Sequence, residues 1–408
     1  MRKLIFIIPM LIAVLTACNT TEKTMLQSGT WRGELAVQDK WAPFTFEVKT
    51  IDNDSTVVTL INGDERVELP GVHFLNDSVI IPIEAYDAFI GAKLHDGKLD
   101  GKFVKNYIEN DPGVLFRAEY NQTARFLPTG NPTSVQIDGK WDVGFIGENG
   151  DTTRNVGVFK TDGTRVTGSI LTNSGDLRFL EGSYTENGVQ LSAFGGLSPY
   201  LFEITFTDND NFEGQFFTTR GVTRLAGNRN DQAGLADPYT LTNLKPGFES
   251  LSFTLPNIDG EQISITDDRF KDKVVIVSIL GSWCPNCLDE MEFLSPWYKE
   301  NRGRGVEIIG LAFERKDDFD YAKNAIFRLK EKYDVDYEIL FAGQVGNKAV
   351  AKVLPEIDKI SSYPTTIFID KKGKVRKIHT GFNGPATGLF YEDFKRDFNS
   401  LVNDLLSE

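Results

Sequence analysis

Cysteine and histidine are scarce in this chain, and the scarcity excludes a good deal. Its 408 residues include three cysteines, at positions 18, 284 and 287, and three histidines, His73, His95 and His379. Three cysteines cannot build a framework of structural disulfides. A tetrahedral zinc site needs four ligands, and with no second cysteine pair and only scattered histidines none is expected. Covalent haem attachment would want a histidine after Cys287, where the chain has Leu288. No cofactor is called for. Positive charge is also short: 44 Lys and Arg stand against 58 Asp and Glu, for a net charge of −14. That balance argues against nucleic acid and anionic membrane surfaces as electrostatic partners. What is plentiful is hydrophobic content, 40%, with 12% aromatic residues, enough to bury real cores. The length suits two or three domains.

The first residues read as a targeting signal. Arg2 and Lys3 form a short basic region, and Leu4 to Leu15 is apolar. As an uncleaved anchor helix that stretch is short, because a span takes about 20 residues. Leu15-Thr16-Ala17-Cys18 resembles the bacterial lipobox, in which the cysteine is lipidated and becomes the new first residue. The resemblance implies a lipoprotein signal peptide over 1–18, a lipid anchor at Cys18 and a body facing the periplasm of a Gram-negative envelope. Asn19, rather than Asp, leans towards the outer membrane. With Cys18 committed to lipid, Cys284 and Cys287 remain as one pair. A disulfide between them closes almost no loop and stabilises folding little, so the pair reads as chemical rather than structural.

Residues 19–27 read as a polar tether. A pattern then occurs twice: Gly29-Thr30-Trp31 returns as Gly139-Lys140-Trp141, Gly63-Asp64 as Gly175-Asp176, Gly71 as Gly182, and Leu99-Asp100-Gly101-Lys102-Phe103 as Phe212-Glu213-Gly214-Gln215-Phe216. The offset drifts from 110 to 113, as in a duplication whose turns have gained residues. Phe44 to Lys49 and Phe202 to Thr207 alternate apolar with polar residues, the period of a half-buried strand. Asn62-Gly63, Asp96-Gly97, Asn149-Gly150, Asp162-Gly163 and Asn187-Gly188 supply the positive φ of tight hairpins. Two all-β antiparallel repeats, barrel- or sandwich-like, are therefore expected over 28–126 and 135–230. Leu127 to Thr133 separates them, and a second linker runs from about Asn228 to Pro246. Trp31, Trp41 and Trp141 are candidates either for a contact surface or for aromatic core.

From Phe248 strand-like runs alternate with helical patterns. Phe319, Ala322, Ile326, Leu329 and Tyr333 share one stripe, and Tyr391, Phe394, Phe398, Leu401 and Leu405 another. This alternation predicts an α/β domain over 246–408, a partly parallel sheet with helices on its faces. Asp370 to Lys374 reads as a hairpin turn and suggests an antiparallel edge. The basic stretch around it, Lys371, Lys372, Lys374, Arg376 and Lys377, fits a solvated edge strand protected by lysine.

Within this half, Val274 to Leu280 reads as a buried strand, and Gly281-Ser282-Trp283-Cys284-Pro285-Asn286-Cys287 leads from it into a helix. Cys284 falls on the first helical turn, where unpaired N–H groups and the positive dipole end favour a thiolate. Cys287, one turn on, is placed to displace whatever Cys284 captures. Pro285 suits a helix start, where its missing donor is not needed. Trp283 can roof the sulfur and offer an apolar contact surface.

Together these motifs resemble the thioredoxin fold, and specifically the TlpA/ResA-like thiol–disulfide oxidoreductases of bacterial envelopes. Phe253 to Gly260 resembles their leading hairpin, Trp283-Cys284-Pro285-Asn286-Cys287 their active-site motif, and Tyr363-Pro364-Thr365-Thr366 the loop whose proline is cis and faces both sulfurs. The resemblance implies an enzyme in which Cys284 and Cys287 cycle between dithiol and disulfide. Pro364 would be part of the catalytic loop, and Trp283, Tyr363 and Thr365 would dock the partner. Glu290, in the family's Cys-x-x-Cys-x-x-Glu spacing, would tune the pair; the plain alternative is a surface acid near a helix start. Ser278 departs from thioredoxin, whose buried aspartate falls there, and Glu290 is the candidate replacement. Pro296 is expected to kink or shorten its helix. The implied partners are protein dithiol and disulfide clients, such as oxidised envelope proteins or apocytochrome thiols, with an upstream dithiol donor of electrons. Two other readings stay open. One is a thiol peroxidase, although Ile279 and Gly281-Ser282-Trp283 occupy the stretch where a peroxiredoxin has its Pro-x-x-x-Thr-x-x-Cys. The other is a binding lipoprotein whose β repeats do the work beside a redox sensor.

Overall fold

The computed structural model describes residues 26–52, 55–126 and 134–408. The expected signal peptide, most of the expected tether and Cys18 lie outside them. Eight strands, from Gly29–Val37 to Val114–Tyr120, pair antiparallel in chain order, and the first pairs with the last through Trp31↔Tyr120 and Leu35↔Phe116. They form a closed up-and-down barrel. Alternation built it: along Ser55–Asn62 and Ser78–Ile83 every second residue is buried. Asp96 and Gly97 both take positive φ, as the hairpin between Ala88–His95 and Lys98–Lys105 requires.

A second barrel follows. Its strands run Gly139–Ile146, Thr152–Asp162, Arg165–Thr172, Leu180–Tyr184, Gly188–Phe194, Pro199–Phe206, Asn211–Thr218 and Gly221–Arg229, and the last pairs back with the first. The repeats share details as well as topology. Trp31 and Trp141 are both fully buried, and each indole N–H donates to the carbonyl four residues upstream, Gln27 at 2.9 Å and Ile137 at 2.7 Å. They are core, not contact surface. Trp41 is half-buried under the Arg117 guanidinium, 4.1 Å from its ring centre. Gly101 and Gly214 play one role: a Cβ would stand 2.0 Å from the Gly91 carbonyl oxygen and 2.4 Å from that of Glu203. Of the expected tether, Leu26 is buried in the first barrel's core, and Gln27 supplies the Trp31 acceptor, so both belong to the barrel.

The copies differ in their connections, and one difference bears on the C-terminal domain. In the first barrel two residues, Gly63 and Asp64, join Ser55–Asn62 to Glu65–Leu75. In the second, seven residues, 173–179, join Arg165–Thr172 to Leu180–Tyr184, and Gly175–Asp176 forms a short extra strand on Arg165–Thr172.

The barrels are fastened end to end. Phe194 of the second lies 4.9 Å from Phe44 and 5.3 Å from Phe103 of the first, ring centre to ring centre. The buried Arg125 guanidinium donates to Ser192 O at 3.2 Å and also to Ile61 O. The Asn62 amide donates to Phe194 O and accepts from Phe194 N–H, at 3.0 and 3.1 Å. The segment expected as a linker is packed rather than free: Ala233 is buried, and Tyr239 meets His379 edge-on at 5.1 Å.

The C-terminal domain is a five-stranded sheet ordered Glu338–Gln344, Val306–Glu314, Val274–Leu280, Thr365–Ile369, Val375–Thr380. The first three are parallel and the last two antiparallel, with the basic strand at the edge. Every residue of Val274–Leu280 is buried, as a central strand covered on both faces requires. Ile276 and Leu280 face helices α1 (Pro285–Asn301), α2 (Phe319–Tyr333) and α4 (Leu389–Ser407), whereas Val275, Val277 and Ile279 face α3 (Asn347–Val353) and the leading hairpin Thr254–Pro256/Gln262–Ser264. Pro296 does not shorten α1, which continues to Asn301. Among the described residues no helix is long and apolar enough to cross a membrane.

Candidate active site

The site forms where the central strand gives way to α1. Gly281 makes the turn possible, since a Cβ there would stand 2.3 Å from the Trp283 ring nitrogen and 2.9 Å from the Phe313 carbonyl oxygen. The Trp283 indole N–H donates to that same carbonyl at 2.9 Å. Glu314, fully buried at the end of the neighbouring strand, holds the turn from below. Its carboxylate accepts from Ser282 N–H at 3.0 Å and from Ser282 Oγ at 2.6 Å.

Cys284 caps α1 in an extended conformation, and Pro285 opens the helix. The Cys287 N–H donates to Cys284 Sγ at 3.3 Å, and the Cys284 thiol donates to the Tyr363 carbonyl at 3.4 Å. Both cysteines are free thiols in this structure. Cys287 is the deeper of the two, 1% exposed against 5% for Cys284. Burial above all, then the hydrogen bond and charge of Cys284, and finally the Glu290 charge, push the Cys287 thiol well above its ordinary range.

The Tyr363–Pro364 bond is cis, and it brings the Tyr363 carbonyl over Cys284. The Tyr363 and Trp283 rings meet edge to face at 5.4 Å and are both half-buried. Thr365 is placed differently from the expectation. It is fully buried, and its hydroxyl donates to Ser362 O at 2.8 Å, so its side chain braces the loop from inside.

Glu290 is not a surface acid. It is 2% exposed beneath the dithiol, accepting from Ser278 Oγ at 2.6 Å and from Thr366 Oγ1. Burial pushes its carboxyl up to about 7, against the pull of those two hydroxyls. The serine that replaces thioredoxin's buried aspartate thus holds the carboxylate that reaches the same region from α1.

The surroundings of the dithiol include residues that the sequence did not single out. Barrel loops border it on two sides: Ser174, Asp176 and Arg178 lie on the Asn286 side, and Tyr107 stacks on Arg315 at 3.6 Å on the Trp283 side. A cleft of about 1080 Å³ between the first barrel and α1 and α2 reaches Ser282, but neither cysteine lines it. The dithiol lies under cover, not in an open cavity.

A thioredoxin-fold sheet, a Cys-x-x-Cys capping its first helix and a cis-proline loop facing the sulfur define the class of this domain: a thiol–disulfide oxidoreductase. Residues 246–378 match the AhpC/TSA family. The chain is similar to thiol-disulfide oxidoreductase ResA of Bacillus subtilis (strain 168), 27% identical over 160 residues, which are 39% of this chain and 77% of that protein. ResA of Bacillus thuringiensis subsp. konkukian (strain 97-27) is 30% identical over 131 residues, 32% of this chain and 66% of that protein. Among solved structures, a thioredoxin-family thiol:disulfide interchange protein from Chlorobium tepidum TLS aligns over 40% of this chain and 99% of its own, with 22% identity and a TM-score of 0.30. The C-terminal domain is TlpA/ResA-like, and the family match leaves both barrels outside it.

Proposed function

We propose that this protein is an envelope lipoprotein, anchored through Cys18, that reduces disulfides in the periplasm. The observation that carries the chemistry is the Cys284 sulfur, which caps α1, receives the Cys287 N–H and faces the Tyr363 carbonyl. The Cys284 thiolate attacks one sulfur of a partner disulfide. The partner's S–S bond breaks, a mixed disulfide forms, and the first partner sulfur leaves and takes a proton from solvent. Cys287 then gives its proton to the Glu290 carboxylate and attacks Cys284 Sγ. The Cys284–Cys287 bond forms, and the second partner sulfur leaves as a thiolate. The partner gains two electrons and this chain loses two, which a dithiol protein restores by the reverse exchange. Glu290 suits its part because a carboxyl that titrates near neutrality can both take and return a proton there. The reductive direction rests on likeness to ResA, and the periplasmic setting on the lipobox-like Leu15 to Cys18. The peroxidase reading lacks the Pro-x-x-x-Thr-x-x-Cys pattern, and Gly281 stands where its threonine would be.

The test uses an unfolded peptide dimer joined by one disulfide. The reduced parent should release two thiol peptides and end with Cys284 joined to Cys287. Cys284→Ser should be inert, and Cys287→Ala should stop at a mixed disulfide on residue 284. Release at the parental rate by Cys284→Ser would refute the mechanism. For the anchor, Cys18→Ala should move the protein from the membrane fraction to the soluble one.

A further inference from the structure

The connection 173–179 is five residues longer than its counterpart in the first barrel, and its residues gather at the dithiol. It touches three stretches around the dithiol. After the cysteine, Asn286 Nδ2 donates to the Asp176 carbonyl at 3.4 Å. Before the cis bond, Ser362 Oγ donates to the Ser174 carbonyl at 3.0 Å. Beyond the last strand, Gly384 N–H donates to Asp176 Oδ2 at 2.7 Å, and a Cβ on Gly381 would stand 2.8 Å from the Asn173 carbonyl oxygen.

The connection is anchored as well as seated. Arg178 bridges Asp289 of α1 and Glu65 of the first barrel, so one side chain ties all three domains together beside the active site. Gly175 passes so close that a Cβ would stand 1.6 Å from Asn286 Nδ2 and 2.7 Å from the Phe382 carbonyl oxygen. Only a residue without a side chain lets the turn lie this deep. In the first barrel the same position is a plain two-residue turn with no such contacts to the dithiol loops.

We propose that connection 173–179 is a specificity element that admits extended, cysteine-bearing segments and small disulfides to Cys284 and turns away the flat surfaces of folded proteins. This rests on the oxidoreductase reading above. The connection fills the Asn286, Ser362 and Gly381 side of the groove, and the Tyr107–Arg315 stack closes in beside Trp283. What remains open is the pair of half-buried rings, Trp283 and Tyr363, over Cys284, which is 5% exposed. A slim chain can cross those rings and pack apolar side chains on them, but a globular partner meets the second barrel first. Selection here works by obstruction, which rejects a competitor without strengthening the contacts to the preferred partner.

The test compares one mixed disulfide on two carriers. A fluorescent thiol is joined either to a cysteine in an unstructured peptide or to a surface cysteine engineered into folded ubiquitin. Its release by the reduced full-length protein gives two second-order rate constants. The parent should favour the peptide by about a hundredfold, and Gly175→Leu, which forces the turn out of the groove, should shrink that preference about tenfold by raising the ubiquitin rate. Replacing 173–179 with Gly-Asp, the connection of the first barrel, should do the same. A parental preference within about threefold, or a preference unchanged in variants with the parental circular dichroism, overturns the proposal. If neither variant folds, the parental ratio alone decides. If the parent fails to react even with the peptide, the oxidoreductase reading falls and this inference with it. Reaction with both carriers at similar rates sinks only the inference.

Discussion

Replacing Glu290 with glutamine should remove a penalty that the parent suffers as pH rises. The carboxyl ionises near 4.5 in an unfolded chain and at about 7 in the fold, where burial disfavours its charge. The folded state therefore holds this proton more tightly than the unfolded one. Its contribution to stability is complete below about pH 4.5 and is lost as pH climbs through about 7. Between pH 5 and pH 8 the loss comes to about 2.5 kcal/mol, from a shift of this size at about 1.4 kcal/mol per pH unit. Glutamine cannot ionise and escapes that loss. It has one acceptor oxygen where the carboxylate has two, for Ser278 and Thr366, which costs about 1 kcal/mol at either pH. Other buried acids, such as Asp176, are common to both proteins and cancel in the comparison. Urea unfolding of the reduced parent and Glu290→Gln at the two pH values is the assay. The variant should gain on the parent by about 2.5 kcal/mol on going from pH 5 to pH 8. A stability difference that is the same at both pH values would show that residue 290 is not a buried carboxyl titrating near neutrality, and the proton-transfer step would lose its acceptor.

Three further outcomes are expected. Arg178→Ala strands two buried carboxylates, Glu65 and Asp289, and should cost about 3–5 kcal/mol in chemical denaturation; a cost below about 1 kcal/mol would mean the bridge is not buried as described. Gly101→Ala drives a methyl into the Gly91 carbonyl across the strand pair and should cost at least about 2 kcal/mol or block folding, whereas Gly221→Ala, with open space at its Cβ, should cost under about 1 kcal/mol. Phe398→Ala empties the point where the Phe293, Trp297 and Phe368 rings converge and should cost about 3–5 kcal/mol in thermal or urea melts.

Much of this arrangement was legible in the chain. Period-two runs such as Phe44 to Lys49 marked strands because one barrel face is wet and the other dry. The duplication was visible because Trp31 and Trp141 do the same structural job. The stripes of α2 and α4 stood out for the same reason, since each helix buries one side only. The dithiol and Pro364 could be read from local motifs, because strand, turn and helix start are consecutive in sequence. Two kinds of feature were hidden. Thr365 looked available because it follows the cis-proline, but its strand is buried along its whole length. Connection 173–179 and Glu314 act on the dithiol loops across more than 30 positions or between domains, and nothing local marks such contacts. The longer connection left a faint trace, since the Gly63-to-Gly175 match already exceeds the Trp31-to-Trp141 offset, but a drift in spacing says that residues were added and not what they touch.

Phe194 belongs to the second barrel by sequence and to the first barrel's interior by location. Its ring stoppers one end of the earlier cylinder, so neither copy is a module that could be transplanted whole. Cutting the chain between them would uncork one half and leave the other with a bare aromatic at its rim. The two barrels thus form one platform, and any truncation meant to isolate the redox domain must remove both barrels or neither.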